Sequence, residues 1–372
     1  MSQHLKPRAL VMAGGTGGHI FPGLAVAQAL RDGQWDVAWL GAPNSMESRI
    51  VPPHGFALHT LAFGGVRGKG LVTKLLAPLR LVRATLTALQ VMRRLKPNVV
   101  VGLGGFITVP GALAAWLSGR PVLLHEQNAI AGLSNRLISL IAKRKFMAFP
   151  GALSGGEWIG NPLRSAFLQT SDPAKRYDQR TGPLRLLVLG GSLGAAALND
   201  LVPQALAMLP AGHKPFIVHQ SGEKHLSALQ ASYAAAGIRA EDDAAVQATL
   251  CAFIDDVAGA METADLVICR AGASTVTEVS AVGVAALFVP FPHAVDDHQT
   301  ANAEFLVLQD AAWLRQQREF TPQQLADFLM HLDREQLKVR AVKARSLAKT
   351  GAVDAMVTAS EACIPSLSLI HI

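Results

Sequence analysis

The sequence predicts an α/β protein of two Rossmann-like domains, each a parallel sheet flanked by helices, with the two sheets facing across a cleft. Three observations carry this. The chain has 372 residues, which suits two domains, and half of them are hydrophobic against 16% charged, enough for two packed cores. Short β-rich runs alternate with helical stretches, the signature of βαβ units on a parallel sheet. The alternation restarts midway, and each half opens with a strand followed by a glycine-rich turn.

In the first half the expected strands are Ala9–Ala13, Asp36–Gly41, Val99–Gly102, Pro121–His125 and Lys145–Phe149. Helical patterns lie between them at Pro22–Arg31, Leu79–Leu95, Gly111–Leu117 and Gly132–Ala142, with Pro22 suited to the first turn of its helix. The polar stretch Ser171–Pro183 reads as the linker. In the second half, strand Leu184–Leu189 leads into the turn Gly190–Gly194 and the helix Ala195–Leu209, and strands recur at Phe216–His219, Leu266–Cys269 and Ala286–Val289. The closing helices, Pro322–Lys349 and Ala352–Cys363, are amphipathic, and the last is expected to return to the first half. The domains are therefore drawn at 1–164 joined by about 350–372, and at 165–349.

Charge divides the same way. Met1–Arg164 holds 18 Lys/Arg against 5 Asp/Glu, whereas Ser165–Ile372 is net −6 within a total of +7. No acidic residue occurs from Ser48 through His125. So basic a half suits an anionic partner. Cys251, Cys269 and Cys363 form no CxxC pair, which points away from a disulfide framework and a zinc site. The N-terminus lacks the pattern of a signal peptide. Val99–Ser118 is uncharged and about the ~20 residues of a membrane span. Its Gly102, Gly104, Gly105, Pro110 and Gly111 instead mark a strand, a turn and a helix.

The residues that can carry chemistry cluster at the turns. Gly14-Gly15-Thr16-Gly17-Gly18-His19 follows the first strand, so its backbone N–H groups can approach an anion at a helix N-terminus. His19 can accept a proton from a hydroxyl nucleophile or simply bond the loop. Gly102-Leu103-Gly104-Gly105 reads as a second phosphate cradle or as close helix–sheet packing. In the second half, Gly190–Gly194 with Ser192 and the stretch Arg270–Glu278 are further phosphate-loop candidates, and Glu278 can accept ribose hydroxyls. His293, Asp296, Asp297 and His298 suggest a metal cluster, but Pro290 and Pro292 make their loop a poor platform, and no Asp-x-Asp pair occurs. No metal and no cofactor are expected; loop amides and helix dipoles would stabilise a departing diphosphate. The lead-in Gly64–Leu76 is basic and apolar and suits a membrane surface, with Arg67, Lys69 and Lys74 beside Leu71, Leu75 and Leu76. The following stripe, Leu75, Leu79, Val82, Leu86 and Leu89, has the spacing of a buried helix face. Nucleic acid is disfavoured, since Phe63 stands without stacking aromatics around it.

The stretches GGTGGHIFPGLAVA, VVGLGGFITVPGALAA, HEQNAIAGLSNR, GNPLR, GGSLGA, FIDDV, CRAGASTVTE and PFPHAVDDHQTANA, in this order from Gly14 to Ala303, resemble the MurG family. These are the N-acetylglucosaminyltransferases of peptidoglycan synthesis that act on undecaprenyl-pyrophosphoryl-muramoyl-pentapeptide. The resemblance implies the metal-independent GT-B glycosyltransferase fold. It implies UDP-GlcNAc held by Ser192, Ile254, Ala273, Ser274, Thr275, Val276, Thr277, Glu278 and Gln299, with Glu278 on the ribose and Ile254 beside the uracil. Thr16, Gly17, Gly18, Asn128 and Arg164 would contact the donor from the first half. Gly14, Gly15, Gly102, Gly104 and Gly105 would take the diphosphate of the acceptor, lipid I. His19, or else Glu126, would be the base of an inverting displacement that yields lipid II. The protein would lie peripherally on the cytoplasmic face of the bacterial inner membrane, against anionic lipid. The tail Pro365–Ile372 matches no family pattern. The alternatives are a related enzyme that glycosylates diacylglycerol, a UDP-GlcNAc 2-epimerase, and a non-catalytic nucleotide-sugar sensor docked on membrane.

Overall fold

The computed structural model describes residues 6–64, 76–191, 194–238 and 248–364. The lead-in 65–75, Ser192 and the tail 365–372 lie outside them. Contacts divide the chain into two compact units, residues 1–164 with 350–372, and residues 165–349.

The first unit runs β1 (Arg8–Ala13), α1 (Gly17–Asp32), β2 (Asp36–Gly41), α2 (Met46–Ile50), β3 (Ala57–Thr60), α3 (Ala77–Leu95), β4 (Val99–Gly104), α4 (Thr108–Leu117), β5 (Val122–Glu126), α5 (Leu133–Ile138), β6 (Arg144–Met147) and β7 (Glu157–Trp158). The strands are parallel, in the order β3-β2-β1-β4-β5-β6-β7. Helices cover both faces, so the central strands are continuous apolar runs. Alternate residues of β1 serve opposite cores: Ala9, Val11 and Ala13 face α1, and Leu10 and Met12 face α3 and α4. Helix α15 (Ala352–Glu361) packs on α1, burying Ala352, Met356 and Ala359 in that first core. The stretch 99–118 is the strand β4, buried along its length, followed by α4. Among the described residues no helix is long and apolar enough to cross a membrane.

Two expectations change here. Helix α1 begins at Gly17, not Pro22, so Pro22 lies inside the helix and His19 in its first turn. The apolar stripe on α3 is mostly not its buried face: Leu79, Val82 and Leu86 are exposed, Leu89 is half-buried against the core, and the smaller Ala84, Thr85 and Ala88 are buried with Met92. Small residues let α3 lie close to the sheet, which turns its bulky ones outward.

The second unit contains α6 (Ser165–Leu168), α7 (Pro173–Asp178), β8 (Arg185–Leu189), α8 (Ala196–Ala207), β9 (Phe216–Gln220), α9 (Leu226–Ala235), β10 (Ala248–Cys251), α10 (Val257–Thr263), β11 (Leu266–Cys269), α11 (Ala273–Val282), β12 (Ala285–Phe288), α12 (His298–Val307), β13 (Trp313–Leu314), α13 (Pro322–Met330) and α14 (Arg334–Ser346). Its parallel strands are ordered β10-β9-β8-β11-β12-β13. The expected linker Ser171–Pro183 is instead part of this unit. Asp172 caps α7 by accepting from the Lys175 amide at 3.1 Å. Arg176 donates to the carbonyls of Val282 and Gly283 at the end of α11, and the Tyr177 hydroxyl donates to the Asp265 carbonyl at 2.6 Å. Burial pushes the Tyr177 phenol up to about 12. Asp265, fully buried, meets Arg180 at 2.8 Å and Arg334 at 3.2 Å. Its polarity is not that of a linker, because these groups bond buried backbone and one another.

Candidate active site

Strand order places the site. In an open parallel sheet, ligands bind beyond the carboxyl ends of the strands, where the chain reverses its winding direction. In the first unit that point lies between β1 and β4, and the turn Gly14–His19 follows β1 while Gly104–Gly105 follows β4. In the second it lies between β8 and β11, which are followed by Gly190–Gly194 and by Arg270–Thr275.

In the first unit the end of β1 is held from below. Trp39 of β2 donates from its ring nitrogen to the Ala13 carbonyl at 3.0 Å. Gly23 of α1 leaves room for it; a Cβ there would stand 2.6 Å from the Trp39 ring. Glu47 of α2, 1% exposed, accepts from the amides of Gly15 at 3.1 Å and Ala42 at 2.9 Å. The Gly14 amide donates to the Gly104 carbonyl at 3.3 Å.

These bonds engage two amides of the expected diphosphate cradle. The amides of Gly14 and Gly15 are spent inside the protein, and the Glu47 carboxylate beside them repels an anion. Gly102 belongs to the sheet, in register with Met12 and Leu124. Gly104, at φ +109, is a glycine because the His19 ring covers it: a Cβ would lie 2.8 Å from the ring carbon Cε1. A Cβ on Gly105 would lie 2.4 Å from the Gly14 carbonyl oxygen. The amides with no acceptor in their own helix are those that open α1, at Gly17 and Gly18. Thr16 precedes them with extended backbone, exposed, and its hydroxyl makes no cap.

His19 is half-buried, and its Nδ1 lies 2.9 Å from Oε1 of Gln127. The other end of that amide, Nε2, lies 3.2 Å from Nδ1 of His125, and Nε2 of His125 lies 2.8 Å from the Gly160 carbonyl. His125 is fully buried at the end of β5, and burial holds its imidazole down at about 4. Glu126 faces the other way. Its Oε1 accepts from the amide and side chain of Asn128 at 2.8 and 3.3 Å, and its Oε2 from the Gly132 amide at 3.2 Å and the Asn135 side chain at 2.8 Å. Four donors around one buried carboxylate shape the loop after β5. Asn128 is thereby fixed in place. Exposed Arg164 sets its guanidinium 5.5 Å from the centre of the Phe21 ring on α1.

In the second unit Gly194, at φ +77, presses on β9: a Cβ would stand 2.2 Å from the Ser221 carbonyl oxygen. Gln220 at the end of β9 donates to the Gly191 carbonyl at 3.1 Å. Helix α11 starts at Ala273 with no side-chain cap, so its first amides have no acceptor in their own helix, and the buried Ser274 hydroxyl oxygen has no partner among the described residues. Thr277 turns back onto the carbonyls of Ala273 and Ser274. Val276 is buried; Thr275 and Glu278 are half-buried on the same helix. The preceding loop is clamped by Asn302, which donates to the Ala271 carbonyl at 3.1 Å. It is also clamped by Arg270, which donates to the Val289 and Pro290 carbonyls and to Gln317. Gln299 accepts from the Phe291 amide at 2.9 Å, and half-buried Ile254 lies in the loop between β10 and α10. Among the described residues no group of three or more His, Cys, Asp or Glu is placed to hold a metal ion.

Sequence reading singled out the glycines and His19 but passed over Glu47, Gln127 and Gln220. Gln127 stands inside the quoted stretch HEQNAIAG, yet its partner lies 108 positions away.

The comparisons with known proteins agree with this architecture. Residues 9–147 match the glycosyltransferase family 28 N-terminal domain and residues 185–358 its C-terminal domain. A protein of Paracidovorax citrulli named UDP-N-acetylglucosamine--N-acetylmuramyl-(pentapeptide) pyrophosphoryl-undecaprenol N-acetylglucosamine transferase is 59% identical, over 95% of this chain and 97% of its own. A protein of Ralstonia nicotianae with the same name is 56% identical over 95% and 96%. The crystal structure of Acinetobacter baumannii MurG superposes with a TM-score of 0.82 at 42% identity, covering 96% of this chain and 99% of that one. The calicheamicin glycosyltransferase CalG4, at 15% identity and a TM-score of 0.67, shares the fold. With both of its domains matched and relatives this similar along nearly its whole length, the chain belongs to glycosyltransferase family 28 and, within it, to the MurG family.

Proposed function

We propose that this enzyme transfers N-acetylglucosamine from UDP-GlcNAc to the muramoyl 4-hydroxyl of lipid I, giving lipid II with inversion at the anomeric carbon. The observation that carries the chemistry is His19, held at the switch point of the first sheet beside the free amides of Gly17 and Gly18. His19 Nε2 takes the proton of the 4-hydroxyl. That oxygen forms the new bond to the anomeric carbon, the bond from that carbon to the β-phosphate oxygen breaks, and UDP leaves with the electron pair. The uncapped start of α11, Ala273–Thr275, would receive the diphosphate charge. Thr16, Gly17 and Gly18 offer the first unit's anion contacts, and Asn128 and Arg164 the remaining polar ones. Purified protein with UDP-GlcNAc and lipid I in detergent should form lipid II, in EDTA as well as without it. Transfer to diacylglycerol instead, or to neither acceptor, would overturn the reading.

Glu278, in the second turn of α11, would hold the ribose. Glu278→Ala is expected to raise the KM for UDP-GlcNAc about tenfold, the loss of one or two charge-assisted hydrogen bonds, with kcat changed far less. An unchanged KM would remove the ribose role.

The acceptor carries a lipid, and the first unit has a surface for one. Leu79, Val82 and Leu86 of α3, Trp116 and Leu117 of α4, and Leu133 and Leu137 of α5 are exposed on helices that pack side by side on one face of the sheet. Exposed Arg80, Arg83 and Arg136 accompany them. Apolar side chains ringed by cations suit the surface of an anionic leaflet, which supports a peripheral place on the inner membrane. Arg80→Glu with Arg83→Glu should weaken binding to anionic vesicles at least ~10-fold, at about 1 kcal/mol per basic residue. Equal binding would refute the membrane contact.

A further inference from the structure

The hydrogen bonds around His19 have a direction that the carbonyl of Gly160 dictates. A carbonyl only accepts, so Nε2 of His125 carries the proton it donates across 2.8 Å. His125, buried and neutral, then has a bare lone pair on Nδ1. Two acceptors therefore face one end of Gln127, namely this Nδ1 and the His125 carbonyl, each at 3.2 Å. Only the NH₂ group satisfies both, which settles which way the amide points. Its oxygen must face His19, and an amide oxygen only accepts. Nδ1 of His19 is thus the protonated nitrogen.

We propose that Gln127 is a positioning residue that selects the Nδ1–H tautomer of His19 and leaves Nε2 bare for the acceptor hydroxyl. This rests on the reading of His19 as the base. The other ring nitrogen decides what a histidine can do, and the hydrogen bond at one nitrogen sets the state of the other. The wrong tautomer would present Nε2–H to the substrate, and a nitrogen that already holds a proton cannot accept one. Gln127 is 1% exposed, so water does not compete for either end of its amide. Gly104 completes the seat, since a side chain there would displace the His19 ring. His125, coupled to His19 through space as well as through the amide, is the titratable group that faces this pair, and it stays neutral. An amide suits the task better than a carboxylate. It orients the ring without a negative charge that would favour the imidazolium, and its NH₂ end locks the direction of the whole chain.

The test reads the tautomer directly. Histidine-labelled protein is examined by ¹⁵N NMR, with the His19 signals identified as those lost in His19→Ala. Wild type should show a protonated Nδ1 and an unprotonated Nε2. Gln127→Leu should show mixed or exchanged tautomers, with kcat reduced about tenfold or more, as expected when a catalytic histidine loses its orienting partner, and with donor KM nearly unchanged. In a His19→Ala background the same change should alter residual turnover less than about twofold, because two residues that act as one are not additive. Gln127→Glu should move the acid limb of the rate profile to higher pH, since a carboxylate against Nδ1 favours the charged ring. A wild-type spectrum with the proton on Nε2 overturns the proposal even if Gln127→Leu fails to fold. So does a folded Gln127→Leu with normal kcat and pH profile. High turnover in His19→Ala would instead sink the base assignment itself, and the spectrum of the wild type separates the two failures.

Discussion

Replacing His19 with alanine is expected to cut turnover at least ~10²-fold while the affinity for UDP changes little. General-base assistance contributes about 10²–10⁴ in rate. His19 sits in the first turn of α1, with Nδ1 bonded to Gln127, and the contacts proposed for the UDP ribose and diphosphate, Glu278 and Ala273–Thr275, lie in the second unit. The change also removes a ring that covers Gly104, so some loosening of the turn after β4 accompanies it. Turnover at saturating substrates and a separate measurement of UDP binding distinguish the effects. Loss of turnover with intact binding fits the base; retained turnover would move that role elsewhere.

Glu126→Gln is the second expected large effect, and it acts on stability. Glu126 is 1% exposed, and both its oxygens accept, from Asn128, Gly132 and Asn135. A glutamine must turn an NH₂ toward two of those donors, whichever way its amide is set. Leaving buried donors unmatched costs roughly 1–3 kcal/mol each. A loss of about 3 kcal/mol lowers the melting midpoint of a unit this size by about 6–12 °C. The acid limb of the rate profile should not move. A variant of full stability that loses turnover and its acid limb would show that Glu126, rather than His19, takes the proton. The geometry favours the structural role, since both oxygens of Glu126 are already engaged by four donors of the loop it holds.

Much of the fold was legible because its signals are local. The apolar runs of β1, β2, β4 and β11, the breaks at glycine turns and the restart read at Leu184, one residue before β8 begins, are all short-range patterns. The short strands β3, β7, β10 and β13 were not seen, being brief edge or near-edge pieces whose pairing depends on the neighbour rather than on their own sequence. The segment 171–183 was misread as a linker for the same reason. Its polar side chains find buried partners that lie about a hundred positions away, as Tyr177 does at Asp265 and Arg176 at Val282.

By itself the sequence determined two parallel-sheet halves, the glycine turns that follow their strands, the basic character of the first half and the family. Local propensity, turn chemistry and long motifs carry all of these. The tertiary structure decided which groups at those turns are free. It spent the amides of Gly14 and Gly15 on Glu47 and Gly104, placed Gly102 in the sheet and turned most of the stripe of α3 outward. It also brought Gln127 to His19. A glycine's reason, and a histidine's tautomer, depend on atoms that only folding brings within a few ångströms, and no spacing along the chain records them.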